Sequence, residues 1–455
     1  MPVFNEVQMR AISQARLGFN LFITGPAGTG KSFVLRTIVE QAEKAGRQVQ
    51  VTASTGLAAS LLSEFSSKGA RTLHSFTGVR PHSYGGPVKT PKEIADKLRT
   101  NRVAFNRIRE IDILIIDECS MIPTEYYKIL NDVFKIVRRN EKFSFGGVQI
   151  ILAGDFFQLG PVQKRSVLPI FMDPLWKEMI NETIFLKEIY RQKSGDFLSM
   201  LSKLRIGVVD REVSDLVSKT SNNKLVNEHG IKPTLLCACN VDVDKVNDTE
   251  LMNLPGEMVE YKSIDTNVYA NQNPDALPFR TPERLRLKVG AQVMMVANVN
   301  PEVGFVNGAR GVVTSITSQE RVMVRLLTGR EVSVYKYLQE FDIDGCSHKV
   351  GAAVMKCSRL QFPLKLAWAV TIHKSQGQTI DYLIVDLNKV FAPGQAYTAI
   401  SRGSSLENMI IRNFHQGCVI ADREVVAFHN KLTEKAKKEE QDRSEVQEPK
   451  RVKLV

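Results

Sequence analysis

Long apolar runs are missing from this chain, and so is any patterned set of cysteines. No stretch approaches the roughly 20 apolar residues that a membrane helix needs, so membrane association is not expected. The six cysteines (Cys119, Cys237, Cys239, Cys346, Cys357 and Cys418) are scattered. The one close pair, Cys237 and Cys239, is tighter than the C-x₂₋₄-C spacing of structural zinc. Scattered thiols of this kind are expected to be reduced, in an intracellular protein. The first residues, Met1-Pro2-Val3-Phe4-Asn5-Glu6, lack both the apolar core of a secretory signal and the Arg-rich pattern of a transit segment. Acid is in short supply: 49 Asp and Glu face 61 Lys and Arg, a formal charge of +12. Such a surplus favours polyanionic partners through attraction and counterion release. At 455 residues the chain exceeds what one hydrophobic core usually holds, which predicts two or more domains.

The apolar residues that are present come in short bursts. Leu21-Phe22-Ile23-Thr24, Val49-Gln50-Val51-Thr52, Ile113-Leu114-Ile115-Ile116 and Val148-Gln149-Ile150-Ile151-Leu152 alternate with helix-length segments such as Ser32 to Ala45. This pattern predicts a parallel sheet covered on both faces, with ligands at the carboxyl ends of its strands. A second alternating region starts near Thr234-Leu235-Leu236-Cys237 and resumes at Ala369-Val370-Thr371 and Tyr382-Leu383-Ile384-Val385. Between its halves lie short strands, among them Gln292 to Val296, Val322 to Leu326 and Val332 to Tyr335, with a hairpin expected at Thr328-Gly329. The expected layout is a first α/β domain over 1–182 and a second over 183–430. A turn-rich, wedge-like insertion falls at about 78–104, including His82-Ser83-Tyr84-Gly85-Gly86, and a small barrel at about 296–360. The segment 431–455 reads as a charged tail.

Gly25-Pro26-Ala27-Gly28-Thr29-Gly30-Lys31-Ser32 fits the phosphate-loop pattern G-x-x-x-x-G-K-[ST] completely. Its glycines let the backbone curl so that N–H groups point at phosphates, and the following helix adds its positive end. Lys31 supplies a compact cation for the β and γ phosphates, and the Ser32 hydroxyl is a Mg²⁺ ligand. Hydrolysis further needs a carboxylate at a strand end and a base. Asp117, leaving the apolar run 113–116, suits the metal, and Glu118 beside it suits the base. Gln158, in Gly154-Asp155-Phe156-Phe157-Gln158-Leu159, is placed to sense the γ-phosphate. Arg191 and Arg402 are candidates to neutralise charge in the transition state.

In this order the motifs resemble those of superfamily-one helicases of the RecD-like branch, and within it the PIF (petite integration frequency) family. Phe4-Asn5-Glu6-Val7-Gln8 is similar to the adenine-reading Q motif, with Gln8 the reader. Thr52 to Ala59 and Thr72-Leu73-His74-Ser75-Phe76 resemble two DNA-contacting motifs. Glu125 to Arg139, followed by Phe145-Gly146-Gly147-Val148-Gln149, is similar to the family's signature helix. Gly290 to Met294, Val306-Asn307-Gly308, Thr371-Ile372-His373-Lys374-Ser375-Gln376-Gly377 and Ala396 to Arg402 continue the match in order. The resemblance implies two RecA-like P-loop NTPase domains with parallel sheets, a barrel of SH3 type in the second, and Arg191 and Arg402 as fingers. It also implies ATP and Mg²⁺ as cofactors, 5′-to-3′ movement on single-stranded DNA, unwinding of duplexes or forks, and a role in genome maintenance. Thr55, Gly56, His74, Phe76, His373, Ser375 and Gln376 are the expected DNA contacts.

Many members of that family carry a longer segment ahead of the Q motif, which here begins at Phe4, so mitochondrial targeting is not expected. Pro449-Lys450-Arg451-Val452-Lys453-Leu454-Val455 resembles a basic nuclear-import signal, against the alternative of a solvated charged end. Nuclear location, in a cell or as a viral product, and an import-receptor partner follow if it acts as one, with the cytoplasm of a virus-infected cell as the alternative; a monomer is expected. Three other readings stay open at this point: an RNA helicase of the neighbouring branch, a nucleotide-gated DNA-binding translocase without unwinding, and a translocase subunit of a nuclease complex.

Overall fold

Apolar runs of four to six residues, too short for helices and buried along their length, make the centre of the first sheet, with two less buried strands at its edges. Its strands are β1 (Leu21–Thr24), β2 (Val49–Ala53), β3 (Ala70–Thr72), β4 (Ile113–Asp117), β5 (Gln149–Gly154) and β6 (Glu182–Phe185). They pair in the order β3-β2-β4-β5-β1-β6, all parallel. Every residue of β1, β2, β4 and β5 is buried, as a sheet with helices on both faces requires. In the computed structural model the residues described are 4–54, 58–59, 62–79, 90–161, 168–190, 195–225, 230–266, 279, 281–297, 299, 305, 307–342 and 356–447.

The second half opens with β7 (Thr234–Cys237) and then turns antiparallel. Strand β8 (Val259–Lys262) pairs with β10 (Arg284–Leu287), and β9 (Ile264–Thr266) joins a three-stranded sheet completed later in the chain. Strands β11 (Gln292–Met295), β12 (Arg310–Ser318), β13 (Arg321–Leu326) and β14 (Glu331–Tyr335) follow, then β15 (Tyr337–Asp342), β16 (Lys356–Gln361) and β17 (Leu364–Leu366). The largest of these sheets has the order β14-β13-β12-β11-β17. Its β13–β14 turn runs through Thr328-Gly329, with Gly329 at φ +80°. Val293, Met295, Val313, Val324, Val334 and Phe362 form a core of its own. These antiparallel strands span Val259 to Leu366, reaching beyond the 296–360 stretch read from sequence at both ends. The chain then returns to a parallel sheet through β18 (Ala369–Thr371), β19 (Leu383–Asp386) and β20 (Met409–Arg412), ordered β18-β7-β19-β20. Two parallel α/β sheets, with an antiparallel unit inserted in the second, are the fold that the sequence pattern implied.

Three features lock the halves together. One buried apolar cluster runs from Leu114 and Leu152 of the first sheet through Phe157 and Tyr397 to Leu383 of the second. The helix Gly195–Arg205 places Arg205 against Asp155. The last helix, Arg423–Gln447, starts after the second sheet and returns to the first, where Phe428 stacks on Phe171 at 4.1 Å between ring centroids. No helix among the described residues is long and apolar enough to cross a membrane, and the five described cysteines are all free.

Candidate nucleotide cleft and its interdomain partners

The strand β1 delivers its last residue, Thr24, into the phosphate loop, and the helix Lys31–Lys44 leaves it. A side chain at Gly25 would stand 2.3 Å from the Leu186 carbonyl oxygen, so only glycine lets the loop settle on that backbone. Gly28 and Gly30 take φ of 84° and 82°, the left-handed values that turn successive N–H groups inward. Lys31 Nζ reaches back over the loop and donates to the carbonyls of Gly25 (2.8 Å) and Pro26 (2.9 Å). Burial draws the Lys31 ammonium below its ordinary pKa, while Asp155, Glu118 and Asp117 pull the other way.

Gln8 is the third residue of the first helix, and its side chain forms a reciprocal capping box with Asn5. Its Nε2 lies 3.1 Å from the point where a Gly30 side chain would begin, so the amide sits over the phosphate loop. Tyr190 closes the same corner: its N–H donates to Gly28 O (2.8 Å) and its hydroxyl accepts from Asn5 (3.1 Å). Arg191, one residue on, lies outside the described residues.

Strand β4 ends in Asp117, and Glu118 follows at φ 51°, ψ 45°. That left-handed backbone is uncommon for a residue with a side chain and marks a functional turn. Glu118 N–H donates to Asp117 Oδ1 at 2.9 Å. Burial, and then the neighbouring Glu118 charge, push the Asp117 carboxyl up to about 7. A buried acid strained in this way is suited to a cation. Asp117 and the exposed Ser32 hydroxyl are hard oxygen donors of the kind Mg²⁺ prefers. Among the described residues no cluster of three or more His, Cys, Asp or Glu side chains is arranged to hold a metal. A Mg²⁺ ion here would therefore complete its shell with phosphate oxygens and water.

The second domain brings its own polar groups to this edge. Gln376 donates to Glu118 Oε2 at 2.9 Å. Arg402, 1% exposed, donates through Nη2 to Gln158 Oε1 (3.3 Å). It is held in place by the carbonyls of Thr398 (2.9 Å) and Gln378 (3.3 Å) and by the Ser401 hydroxyl (3.0 Å). Leu159 N–H donates to Thr398 Oγ1 (3.2 Å), and Ala27 N–H of the phosphate loop donates to the Tyr397 hydroxyl (3.3 Å). That hydroxyl is also 3.3 Å from Asp155 Oδ2. The domains can approach this closely because Gly394, at φ 73°, has no side chain: a Cβ there would meet Phe157 O at 2.3 Å.

Sequence reading missed the centre of this interface. Asp155 is fully buried and takes a forked pair of bonds from Arg205, Nη2 to Oδ1 at 2.9 Å and Nε to Oδ2 at 3.2 Å. Burial alone would raise the Asp155 carboxyl, but Arg205 outweighs it and holds the acid below its usual range. The Arg205 guanidinium also lies 4.2 Å over the Phe157 ring. An arginine ending an ordinary amphipathic helix carries no sequence signal. Tyr397 did sit in a quoted motif, though without an assigned role.

The expected DNA contacts divide. Thr55 and Gly56 lie outside the described residues, as does the wedge segment 80–89. Half-buried His74 packs on Tyr126 of the signature helix (4.8 Å), whose hydroxyl donates to Val79 O (2.9 Å). Phe76 is a correction: it is 2% exposed, within the main core, and offers no face to a base. Ser375 is a second correction, since it is fully buried and its hydroxyl donates within its own turn to Ile372 O (2.7 Å). His373 stays half-exposed, and burial lowers its imidazole pKa. Gln376 turns its amide N–H to Glu118, while its Oε1 is buried without a hydrogen-bond partner. The signature helix Thr124–Arg138 is a buttress: Arg138 Nη1 donates to the carbonyls of Ile108, Arg109 and Ile111, and Asn131 accepts from Phe145 N–H.

The family model described as PIF1-like helicase matches residues 2–215, and that of the DNA helicase Pif1 2B domain matches 276–316. The chain is 36% identical over 441 residues to the ATP-dependent DNA helicase PIF1 of Danio rerio, covering 95% of this chain and 65% of that protein. It thus spans just under two-thirds of the length of that relative. It is 33% identical over 439 residues to the ATP-dependent DNA helicase Pif1 of Bdellovibrio bacteriovorus, covering 95% of this chain and 94% of that protein. The crystal structure of Candida albicans Pif1 superposes with a TM-score of 0.80 at 36% identity, over 95% of this chain and all of that one. Bacteroides Pif1 bound to ssDNA superposes at 0.69 with 27% identity, over 96% of this chain and 98% of that one. With the cleft built from both sheets and a bacterial relative matched along nearly its whole length, the chain belongs to the PIF1-like helicase family.

Proposed function

We propose that this chain is an ATP-dependent DNA helicase that moves 5′-to-3′ along single-stranded DNA and separates duplexes. The observation that carries the reading is that the catalytic set is complete only across the cleft. The phosphate loop, Glu118 and Gln158 belong to one domain, while Tyr397, Gln376 and Arg402, which bond to them in that order, belong to the other. A nucleotide between the lobes therefore reports on their separation, and cleavage alters it. Gripping DNA alternately on the two lobes turns that cycle into movement.

Within the cleft the residues divide the work. Backbone N–H groups of Gly25 to Ser32 and the Lys31 ammonium bind the phosphates, and Gln8 is placed over the loop for the base. Glu118, aimed by Gln376, takes the proton of the attacking water. Arg402 and Gln158 meet charge developing on the γ-phosphate, with Arg191 as a second finger. Mg²⁺ held by Ser32 and Asp117 would supply charge neutralisation on the β and γ oxygens.

Related names support the reading: relatives are called ATP-dependent DNA helicases, and a Bacteroides relative was crystallised on ssDNA. We further propose a monomer acting on tailed or forked DNA in genome maintenance, in a nucleus that it reaches through the basic segment 449–455. Strand displacement on substrates with either a 5′ or a 3′ overhang, with and without ATP, tests the central claim. Displacement of the 5′-tailed substrate alone is expected. Displacement only from a 3′ tail would reject the polarity, and no displacement with either would reject the activity. RNA-tailed substrates run in parallel address the RNA reading.

A further inference from the structure

The antiparallel unit turns one face of its five-stranded sheet toward its own core and the other toward the second α/β domain. Val293 and Met295 point into the inner core, while Met294 between them joins the cluster of the α/β domains. Met294 is paired with Arg310 on one side and Lys365 on the other. Side chains directly opposite across strands share a face, so Arg310, Met294 and Lys365 form a row on the side that meets β18 and the turn His373–Gln376.

That row carries charge with no local answer. Arg310 is 6% exposed, and its Nε and Nη2 are buried without a hydrogen-bond partner. Asp381 is the acid whose field reaches it, yet no ion pair joins the two. Lys365 is half-buried, and Lys374 adds a third cation. Burial, with repulsion from Lys374 and Arg310, draws Lys365 down to about 8. Burial, partly offset by Asp381, takes Arg310 to about 10, which leaves it charged at neutral pH. Lys365 and Lys374 line an open cleft of about 420 Å³ shared with Asp244, Asn247 and Thr371, and the buried Arg310 is not on its wall. Asp248, also on that cleft, is taken by Arg286 at 2.7 Å. A second orphan donor lies near: Gln378 Nε2 is buried without a partner and sits against Gly308, in the turn leading to Arg310.

A buried guanidinium with two idle donors costs several kcal/mol of solvation unless something anionic meets it. We propose that Arg310 and Lys365, with Lys374 at the rim, form a seat for a backbone phosphate of the DNA strand, at the junction of the antiparallel unit and the second α/β domain. The inference rests on the helicase reading and deepens it by adding Arg310 and Lys365, neither of them among the expected DNA contacts, to the grip on the track. Arginine suits the role because its fork can offer two donors to one phosphate. The seat is also wired to the nucleotide cleft. Gln378, whose amide lies beside it, uses its backbone carbonyl to hold Arg402, which bonds Gln158.

The test is the salt dependence of binding to a single-stranded oligonucleotide by Arg310→Met and Lys365→Gln, each against the wild-type chain. Affinity should fall about tenfold for Arg310→Met, as for loss of a charged hydrogen bond. The slope of log K against log salt should shrink by about 0.7 for each variant, the value for one phosphate contact on a single strand. Arg310→Met should melt no lower than wild type, since an apolar side chain replaces an unpaired buried charge. Wild-type affinity and slope in both variants would overturn the seat. Should Arg310→Met fail to fold, the slope of Lys365→Gln decides. If the wild-type chain binds no oligonucleotide, the helicase reading falls and the seat with it; normal wild-type binding with unaffected variants removes the seat alone.

Discussion

Gln376 donates its amide to Glu118 Oε2 at 2.9 Å, so the base of one domain is aimed by a side chain of the other. Glu118 stands on a left-handed backbone, at φ 51°. Gln376→Ala should lower kcat for DNA-stimulated ATP hydrolysis by about 10- to 100-fold, the equivalent of one hydrogen bond to a charged group. KM for ATP should change little, because the phosphate loop is untouched. Steady-state rates at saturating DNA separate the two parameters. A change confined to KM would reassign Gln376 to binding.

Lys31→Ala removes the only loop side chain that carries charge to the phosphates, and should abolish hydrolysis while leaving the fold intact by circular dichroism. Glu118→Gln keeps the shape and the loop, so ATP binding should persist while DNA-stimulated turnover falls by at least about 100-fold. Fluorescent-nucleotide binding together with phosphate release distinguishes the two variants. Undiminished kcat in Glu118→Gln would remove Glu118 as the base.

Arg205→Met strands Asp155 at zero exposure, with the Tyr397 hydroxyl and the Phe157 N–H as hydrogen-bond partners and the Lys31 charge in reach. Breaking one side of a buried pair costs about 3–5 kcal/mol. The double variant Arg205→Met/Asp155→Asn should recover part of that loss, since no charge is left unpaired. Urea denaturation of the four proteins of this cycle measures the coupling. Additive losses would show that the forked pair does not hold the interface.

How much of this was legible in sequence depended on whether a residue's job needs a local pattern. The phosphate loop was readable because its backbone curl demands glycines at fixed spacing beside Lys31. The strand end at Asp117 was readable because four apolar residues before an acid describe a buried strand meeting solvent. Both sheets followed from the same reasoning. Arg205 was invisible, since an arginine at the end of an amphipathic helix usually faces water, and only the folded chain brings Asp155 to it. Phe76 and Ser375 were misread for a related reason: a motif fixes order along the chain, whereas burial is set by what packs above it. The extent of the antiparallel unit was underread at both ends because β8, β9, β10 and β17 are only three or four residues long, too short for a periodicity to be recognised.

His429, on the final helix, gives the interface a pH dependence whose direction can be worked out. Its ring meets Phe157 and Phe185 edge-on at 5.2 Å each, and its Nε2 lies 3.5 Å from Arg205 Nη1. Burial, and then the Arg205 charge, lower its pKa from 6.5 to about 4, partly offset by Asp155. A base with a depressed folded-state pKa binds fewer protons folded than unfolded between those two values. Its stabilising contribution is therefore complete above pH 6.5 and is lost as pH falls toward 4. Asp155, held below its ordinary 3.8, loses its own contribution only at more acid pH, so the two windows separate. The Tm difference between wild type and His429→Phe should shift in favour of the variant as pH falls from 6.5 to 4, and level off below that. Parallel melting curves across the window would show that the imidazole takes up its proton as readily in the folded chain as in the unfolded one, and so is not enclosed by the interface.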